Sequence, residues 1–124
     1  KKIAERWDES NELNKKAYEN YESGNYLEGI ELAQTAYSLN EKSYILDTLA
    51  EGYFLLKQYE TALEYSNKAI LLDKQNESEN YEHFLMRAKI HLAMENINLA
   101  KKDFEKVLGI DPNHKESQEA LKKM

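Results

Sequence analysis

The stretch LDTLAEGYFLLKQYETALEYSNKAILL, residues 46–72, carries a set of small and apolar residues whose spacing occurs three times in the chain. Successive members of each copy are 4, 9, 3, 7 and 3 residues apart. The three copies are Leu13, Ala17, Tyr26, Gly29, Ala36 and Leu39, then Leu46, Ala50, Tyr59, Ala62, Ala69 and Leu72, then Phe84, Ala88, Ile97, Ala100, Val107 and Ile110. They are offset by 33 and then 38 residues, so five extra residues fall between Leu72 and Phe84. A repeat of this length predicts a stacked scaffold and argues against an enzyme.

Each copy is expected to form a pair of helices. In the quoted stretch, apolar residues recur every three or four positions on both sides of a break at residues 57–58, which is the spacing of one helix face. We predict helices over residues 10–23 and 26–39, 43–56 and 59–73, 79–94 and 97–109. They divide the chain into three repeats (residues 10–42, 43–80 and 81–112), an N-terminal extension or the end of a preceding helix (1–9), and a capping helix (113–124) with Asn113 as its N-cap.

Small residues recur at two positions of every repeat. Where two helices cross closely, a side chain larger than a methyl group would hold their axes apart. These positions hold Ala17, Ala50 and Ala88 on the first helices, and Gly29, Ala62 and Ala100 on the second helices. A single hairpin cannot bury its apolar face alone, so we expect consecutive hairpins to stack and share a core.

Composition excludes several classes of function. The net charge is −6 over 124 residues, and nucleic-acid binding would need clustered Lys and Arg. Lys101, Lys102 and Lys106 lie close together but alternate with acidic residues, so we interpret them as a solvated helix face. No apolar run approaches the roughly 18 residues of a membrane span. Cysteine is absent, which excludes disulfides and thiolate metal sites and leaves the redox compartment undecided.

Candidate catalytic and metal sites are weak. His83 and His91 are eight residues apart, roughly 12 Å along a helix, which is too far to share a metal ion. We interpret His91 as a core residue whose hydrogen bonds are satisfied, and His114 as exposed at the start of the last helix. Asp47 and Glu51 are one helical turn apart, but acid–base catalysis would require a pocket and a raised pKa. We therefore expect no enzyme activity, no metal and no cofactor.

The repeated pattern resembles the tetratricopeptide repeat, a unit of about 34 residues. The matching segments are AYENYESGNYLEGIELAQTAYSLN, LAEGYFLLKQYETALEYSNKAILLD and RAKIHLAMENINLAKKDFEKVLGIDP. The resemblance covers residues 10–112 and implies an all-α, right-handed superhelical stack of three hairpins with a C-terminal capping helix. The chain departs from the family pattern at Gly29 for alanine, at Ile97 and His91 for aromatic residues, and in having Pro only at Pro112.

The resemblance also implies a concave groove lined by the first helix of each pair. The residues we expect in this groove are Asn14, Tyr18, Tyr44, Asp47, Glu51, Phe54, Glu82, Leu85 and Lys89, with Asn11, Tyr21 and Leu92 on the same face. Carboxylates among aromatic and aliphatic side chains would suit a neutral to basic peptide with apolar anchors. In the alternative interpretation, Tyr21, Phe54 and Leu92 are packing between repeats and the rest is solvated surface.

A known activity of the family is to bind the C-terminal carboxylate of heat-shock chaperones with a clamp of Lys, Asn and Arg. By register, the clamp positions hold Asn14, Tyr18, Thr48, Glu82 and Met86, and none of them matches. We therefore do not expect a chaperone-tail clamp. Because the chain starts at Lys1 without Met, we expect it to belong to a longer polypeptide, either as a section of a longer solenoid or as a regulatory domain. An exposed Trp7 at the N-terminal edge would favour a homodimer.

Overall fold

The computed structural model describes residues 2–124 and contains seven helices, with no strand in that range. The helices are α1 (Ile3–Glu22), α2 (Tyr26–Leu39), α3 (Ser43–Leu55), α4 (Tyr59–Gln75), α5 (Tyr81–Ala93), α6 (Ile97–Ile110) and α7 (Lys115–Lys122). Helices α1–α2, α3–α4 and α5–α6 form hairpins, and α7 packs on α6. The first helices lie side by side, since α3 contacts both α1 and α5. The prediction of an all-α stack of three hairpins and a final helix is confirmed.

The turn inside each hairpin has the same backbone geometry in the three repeats. Its central residue has a positive φ, which is 84° at Gly24, 62° at Lys57 and 64° at Glu95. The next N–H donates to a carbonyl five residues back, as in the 2.8 Å bond from Asn25 to Asn20. This Schellman geometry satisfies the last carbonyls of the first helix. Glycine suits it, whereas Lys57 and Glu95 each hold a left-handed conformation that costs about 1–2 kcal/mol.

The apolar core is largest where the first two repeats meet. The main cluster comprises Ala17, Tyr21, Ile30, Ala33, Leu46, Leu49 and Ala69, and a smaller one in the third repeat comprises Ala88, Ala100 and Phe104. The alanines predicted at the helix crossings have no exposed surface: Ala17, Ala50, Ala62, Ala88 and Ala100. The first two repeats are therefore joined mainly by apolar packing.

Gly29, which departs from the alanine of the other repeats, makes room for a neighbouring ring. A methyl group at Gly29 would collide with the ring of Tyr21 and approach the carbonyl oxygen of Ala17 to 2.9 Å. Tyr21 is buried, and its hydroxyl donates a 2.8 Å hydrogen bond to the carbonyl of Thr48 in the second repeat. Glycine at this position therefore lets Tyr21 connect the first two repeats, and Tyr21 belongs to packing rather than to a groove.

The helix ends differ from the sequence prediction by one or two residues at most places, and by more at the start of α1. Helix α1 begins at Ile3, so residues 3–9 continue the first helix, and Trp7 on it is 46% exposed. The N-cap of α7 is His114 and not Asn113, because the His114 side chain accepts the N–H of Ser117. Within residues 2–124, no helix combines the length and the apolar character that crossing a membrane requires.

Candidate functional site

A cavity of about 220 Å³ lies on the face formed by the first helices of the hairpins and the start of α7. We call it the groove cavity. Its walls are Tyr18, Asp47, Glu51, Tyr81, Glu82, Leu85, Met86, Lys89 and His114. Six of these were nominated from the sequence: Tyr18, Asp47, Glu51, Glu82, Leu85 and Lys89. The structure thus brings side chains from α1, α3 and α5 to one surface.

Three nominated residues lie outside this cavity. The hydroxyl of Tyr44 donates a hydrogen bond to the side-chain oxygen of Asn11, which places it further towards the N-terminal edge. The ring of Phe54 packs at 5.7 Å from that of Tyr59, beside the hairpin turn. Asn14 is half-buried, and its Oδ1 lacks a hydrogen-bond partner among the described residues.

Three other wall residues were missed by the groove assignment. Met86 entered the sequence reasoning only as a clamp position, although it directly follows Leu85. Tyr81 and His114 come together across the end of the stack, with ring centroids 5.1 Å apart. Their contact depends on how α7 folds back, so no spacing in the sequence indicates it.

The carboxylates of the groove cavity act on one another. Burial raises the pKa of Tyr18 to about 12. A hydrogen bond from Thr48 opposes this increase, and the charges of Glu51, Asp47 and Glu82 add to it. Burial also raises the pKa of Glu51, and the charge of Asp47 adds to this increase. The centre of the groove cavity is therefore an electronegative, partly desolvated environment.

Positive charge in the groove cavity is drawn to its margin. The Nζ of Lys89 lies 3.1 Å from Oε2 of Glu116 on α7, although its charge still lowers the pKa of Glu51. The imidazole of His114 is engaged with α7, where its Nδ1 accepts the N–H of Ser117 at 3.3 Å. Lys89 therefore acts on Glu51 from the margin of the groove cavity, and among the described residues it forms an ion pair with Glu116 and not with Asp47, Glu51 or Glu82.

A buried histidine lies behind the groove cavity, between two carboxylates. Nδ1 of His83 makes a hydrogen bond with Oδ2 of Asp47, and Nε2 lies 2.9 Å from Oδ2 of Asp73. The other oxygen of Asp73 accepts a hydrogen bond from the hydroxyl of Ser43. We call Asp47, His83 and Asp73 the His83 triad. It joins α3, α4 and α5, and therefore joins the second repeat to the third.

The two carboxylates of the triad decide the protonation of His83, which is 1% exposed. Burial alone would lower the pKa of His83, but the hydrogen bond and charge of Asp47 and the interaction with Asp73 outweigh it. The pKa of His83 is consequently raised. Burial also raises the pKa of Asp47, against the opposing effect of His83.

His91, the other buried histidine of α5, has the opposite behaviour. Its Nε2 lies 3.9 Å from Asp103, but that carboxylate already accepts two 2.8 Å hydrogen bonds from Arg87. Burial, helped by the charge of Arg87, lowers the pKa of His91 despite Asp103. His91 is a core residue, as predicted, although its Nδ1 has no hydrogen-bond partner among the described residues.

Neither histidine gathers ligands for a metal ion. The two ring nitrogens of His83 point to different carboxylates, so these groups do not converge on one position. Within residues 2–124, no group of three or more His, Asp or Glu side chains is placed to hold a metal ion.

Comparison with known proteins adds a family and a fold. A sequence model of the tetratricopeptide repeat matches residues 45–76 and 82–114, just over half of the chain. Human peptidyl-prolyl cis-trans isomerase FKBP4 is 36% identical over 91 residues, which cover 73% of this chain and 18% of that protein. The chain therefore spans less than a fifth of the length of that relative.

Two solved structures are similar over almost the whole chain. The first TPR domain of human RPAP3 has a TM-score of 0.85 at 25% identity, covering 93% of this chain and 88% of that one. The first TPR of Spaghetti, an RPAP3 protein bound to the HSP90 peptide SRMEEVD, has a TM-score of 0.83 at 24% identity, with coverages of 94% and 90%. Both likenesses agree with the stack of three hairpins described above.

Proposed function

We propose that the chain, which belongs to the tetratricopeptide repeat proteins, is a non-catalytic scaffold. In this proposal it binds a segment of a partner protein in the groove cavity. One observation carries this proposal. All three repeats contribute side chains to the groove cavity, and these combine tyrosine and aliphatic surface with carboxylates. Such a surface suits an extended or helical peptide with apolar anchors and a neutral to basic charge.

The charge of the groove cavity favours a different ligand from the acidic peptide bound by Spaghetti. That peptide ends in Glu-Glu-Val-Asp and carries a terminal carboxylate, so it needs positive side chains around it. Here Glu82 and Met86 occupy two of the clamp positions, and Glu51 and Asp47 lie beside them. The carboxylates would repel such a peptide, so we propose that it is not the ligand.

Binding explains the groove cavity better than acid–base catalysis. Glu51 has a raised pKa in a cavity, which is what a general acid requires. Its neighbour Asp47, however, is held by His83, and its other oxygen is buried. The pair of Asp47 and Glu51 therefore does not supply two carboxyl groups that are free to exchange protons with a substrate.

Selection of peptides tests the scaffold function. A random 12-residue phage library is selected against the chain, and the affinity of each enriched synthetic peptide is measured by fluorescence anisotropy. The double variant Tyr18→Ala, Leu85→Ala should weaken binding at least tenfold, whereas the control Leu27→Ala, Leu71→Ala, exposed on the second helices, should not. If no peptide is enriched, or if both variants bind as the wild type does, the proposal is wrong.

A second candidate function is self-association at the N-terminal edge. Ile3 is 60% exposed and Trp7 46%, and these large apolar side chains lie on one face of α1, four residues apart. We propose that this edge forms a homodimer or the contact to a further repeat of a longer solenoid. Light scattering after size exclusion should show a dimer that Trp7→Ser converts to a monomer. A wild type that is monomeric at high concentration would exclude the homodimer.

A further inference from the structure

Asp47 presents an unsatisfied carboxylate oxygen in the wall of the groove cavity. The residue is 9% exposed, its Oδ2 is engaged by His83, and its Oδ1 is buried without a hydrogen-bond partner among the described residues. An unpaired buried carboxylate oxygen is unfavourable, because burial removes the water that would solvate it. A positive charge entering the groove cavity next to Asp47 would offset part of this penalty.

Two further carboxylates stand beside this oxygen without partners of their own. Glu51 lies one helical turn after Asp47, and Glu82 contributes to the wall of the same cavity from α5. Neither side chain makes a hydrogen bond or ion pair within residues 2–124. Each raises the pKa of Tyr18 by its charge, so the three carboxylates surround a common space.

The remaining walls suit an aliphatic stem. Tyr18, Leu85 and Met86 provide aromatic and apolar surface around the carboxylates. Long cationic side chains bury their methylene groups along such surface and place the charged head among acceptors. Lys89 supplies only part of this charge from within the protein, since its ammonium group pairs with Glu116 on α7 while its charge lowers the pKa of Glu51.

We propose that the groove cavity binds one cationic side chain of the partner segment, an ammonium or guanidinium group held by Asp47, Glu51 and Glu82. This inference rests on the proposed peptide-binding function and adds its main determinant. The head group donates to both glutamates, and the charge of the buried Asp47 carboxylate beside them adds to its attraction. The stem lies against Tyr18 and Leu85, and the flanking residues of the segment extend along α3 and α5.

Substitution in the peptide tests this subsite. In each enriched peptide, arginine is replaced by citrulline, which keeps the shape of the side chain without its charge. Lysine is replaced by norleucine, which keeps the four side-chain carbons without the ammonium group. We expect one position at which this change weakens binding at least tenfold, and the affinity of the parent peptide should fall steeply with added NaCl. Lysine and arginine exchanged at that position show which head group is preferred.

Substitution in the protein provides the second arm. Glu51→Gln, Glu82→Gln should weaken the same peptides at least tenfold, and the citrulline or norleucine peptides should be insensitive to it. Glu28→Gln, Glu64→Gln, on exposed positions of the second helices, is the charge-matched control and should leave binding unchanged. Circular dichroism melts confirm that the variants remain folded, and Asp47 is left intact because it also holds His83.

The outcomes separate the two proposals. Peptides that depend on Tyr18 and Leu85 but contain no essential lysine or arginine would overturn the cation subsite and leave the scaffold function standing. Equal binding by the Glu51→Gln, Glu82→Gln variant and the wild type would also overturn the cation subsite and leave the scaffold function standing. Failure to obtain any peptide that depends on the groove cavity would overturn both.

Discussion

Replacing His83 by glutamine should strongly destabilise the protein. His83 is 1% exposed and each of its two carboxylate partners has a side chain that is 12% exposed, so the triad is an almost fully buried set of charges. Removing one member of a buried ion pair leaves the other uncompensated, at a cost of about 3–5 kcal/mol. At neutral pH we expect His83→Gln to lower the free energy of unfolding by about this amount.

The stability of the wild type should also depend on pH through His83. Its pKa is raised in the folded state, so the folded protein holds this proton more tightly than the unfolded chain does. The resulting stability is fully present below the unfolded pKa of about 6.5, and it is lost as pH rises through the folded pKa. One such proton gives a slope of at most about −1.4 kcal/mol per pH unit.

Urea unfolding followed by circular dichroism measures both effects. The free energy of unfolding is determined from pH 6.5 to 9 for the wild type and for His83→Gln, and the difference between the two curves isolates His83. It should narrow as pH rises. A difference that is constant with pH, or a variant as stable as the wild type at pH 6.5, would refute the assignment of a buried protonated histidine.

Substitutions at four other positions test the packing and the charges of the stack. In thermal melts followed by circular dichroism, Gly29→Ala should destabilise the protein by about 1–3 kcal/mol, because the added methyl group enters an occupied space. Gly109→Ala in α6, which has open space around it, should stabilise the protein by about 0.4–1 kcal/mol. Arg87→Ala should lower the free energy of unfolding by about 3–5 kcal/mol, because it leaves Asp103 buried and unpaired. Urea unfolding should show Arg87→Lys with a stability between those of Arg87→Ala and the wild type, since lysine keeps the charge but not the paired hydrogen bonds. The pKa of His91 is lowered in the folded state, so its contribution to the free energy of unfolding is lost as pH falls from about 6.5 towards the folded pKa. His91→Gln should therefore reduce the decline of the free energy of unfolding between about pH 7 and pH 5, measured by urea unfolding.

The fold could be predicted because every repeat carries its own helix-pairing signal. Ala17, Ala50 and Ala88 occupy the same place in their hairpins, and each has no exposed surface. Position in the repeat also predicted much of the groove cavity, since Tyr18 and Leu85 lie one residue beyond core positions. Properties that follow from a helical period are thus accessible from one sequence.

Contacts between distant helices were not accessible in the same way. His83 looked like an isolated histidine, because Asp47 and Asp73 are 36 and 10 residues away in sequence. Asp73 reaches it from the part of α4 that leads into the five-residue insertion. Nothing in the local pattern of any one helix reveals a triad whose three members belong to three helices.

The unequal joints between the repeats have a consequence for the motions of the stack. In repeat proteins, stability is approximately the sum of a term for each unit and a term for each contact between neighbours. The interface between the first and second repeats is mainly apolar and should not depend on pH. The interface between the second and third repeats contains the titratable His83. Hydrogen exchange should therefore show α5, α6 and α7 opening together as a subglobal unit, sooner at alkaline pH, while the first four helices stay closed.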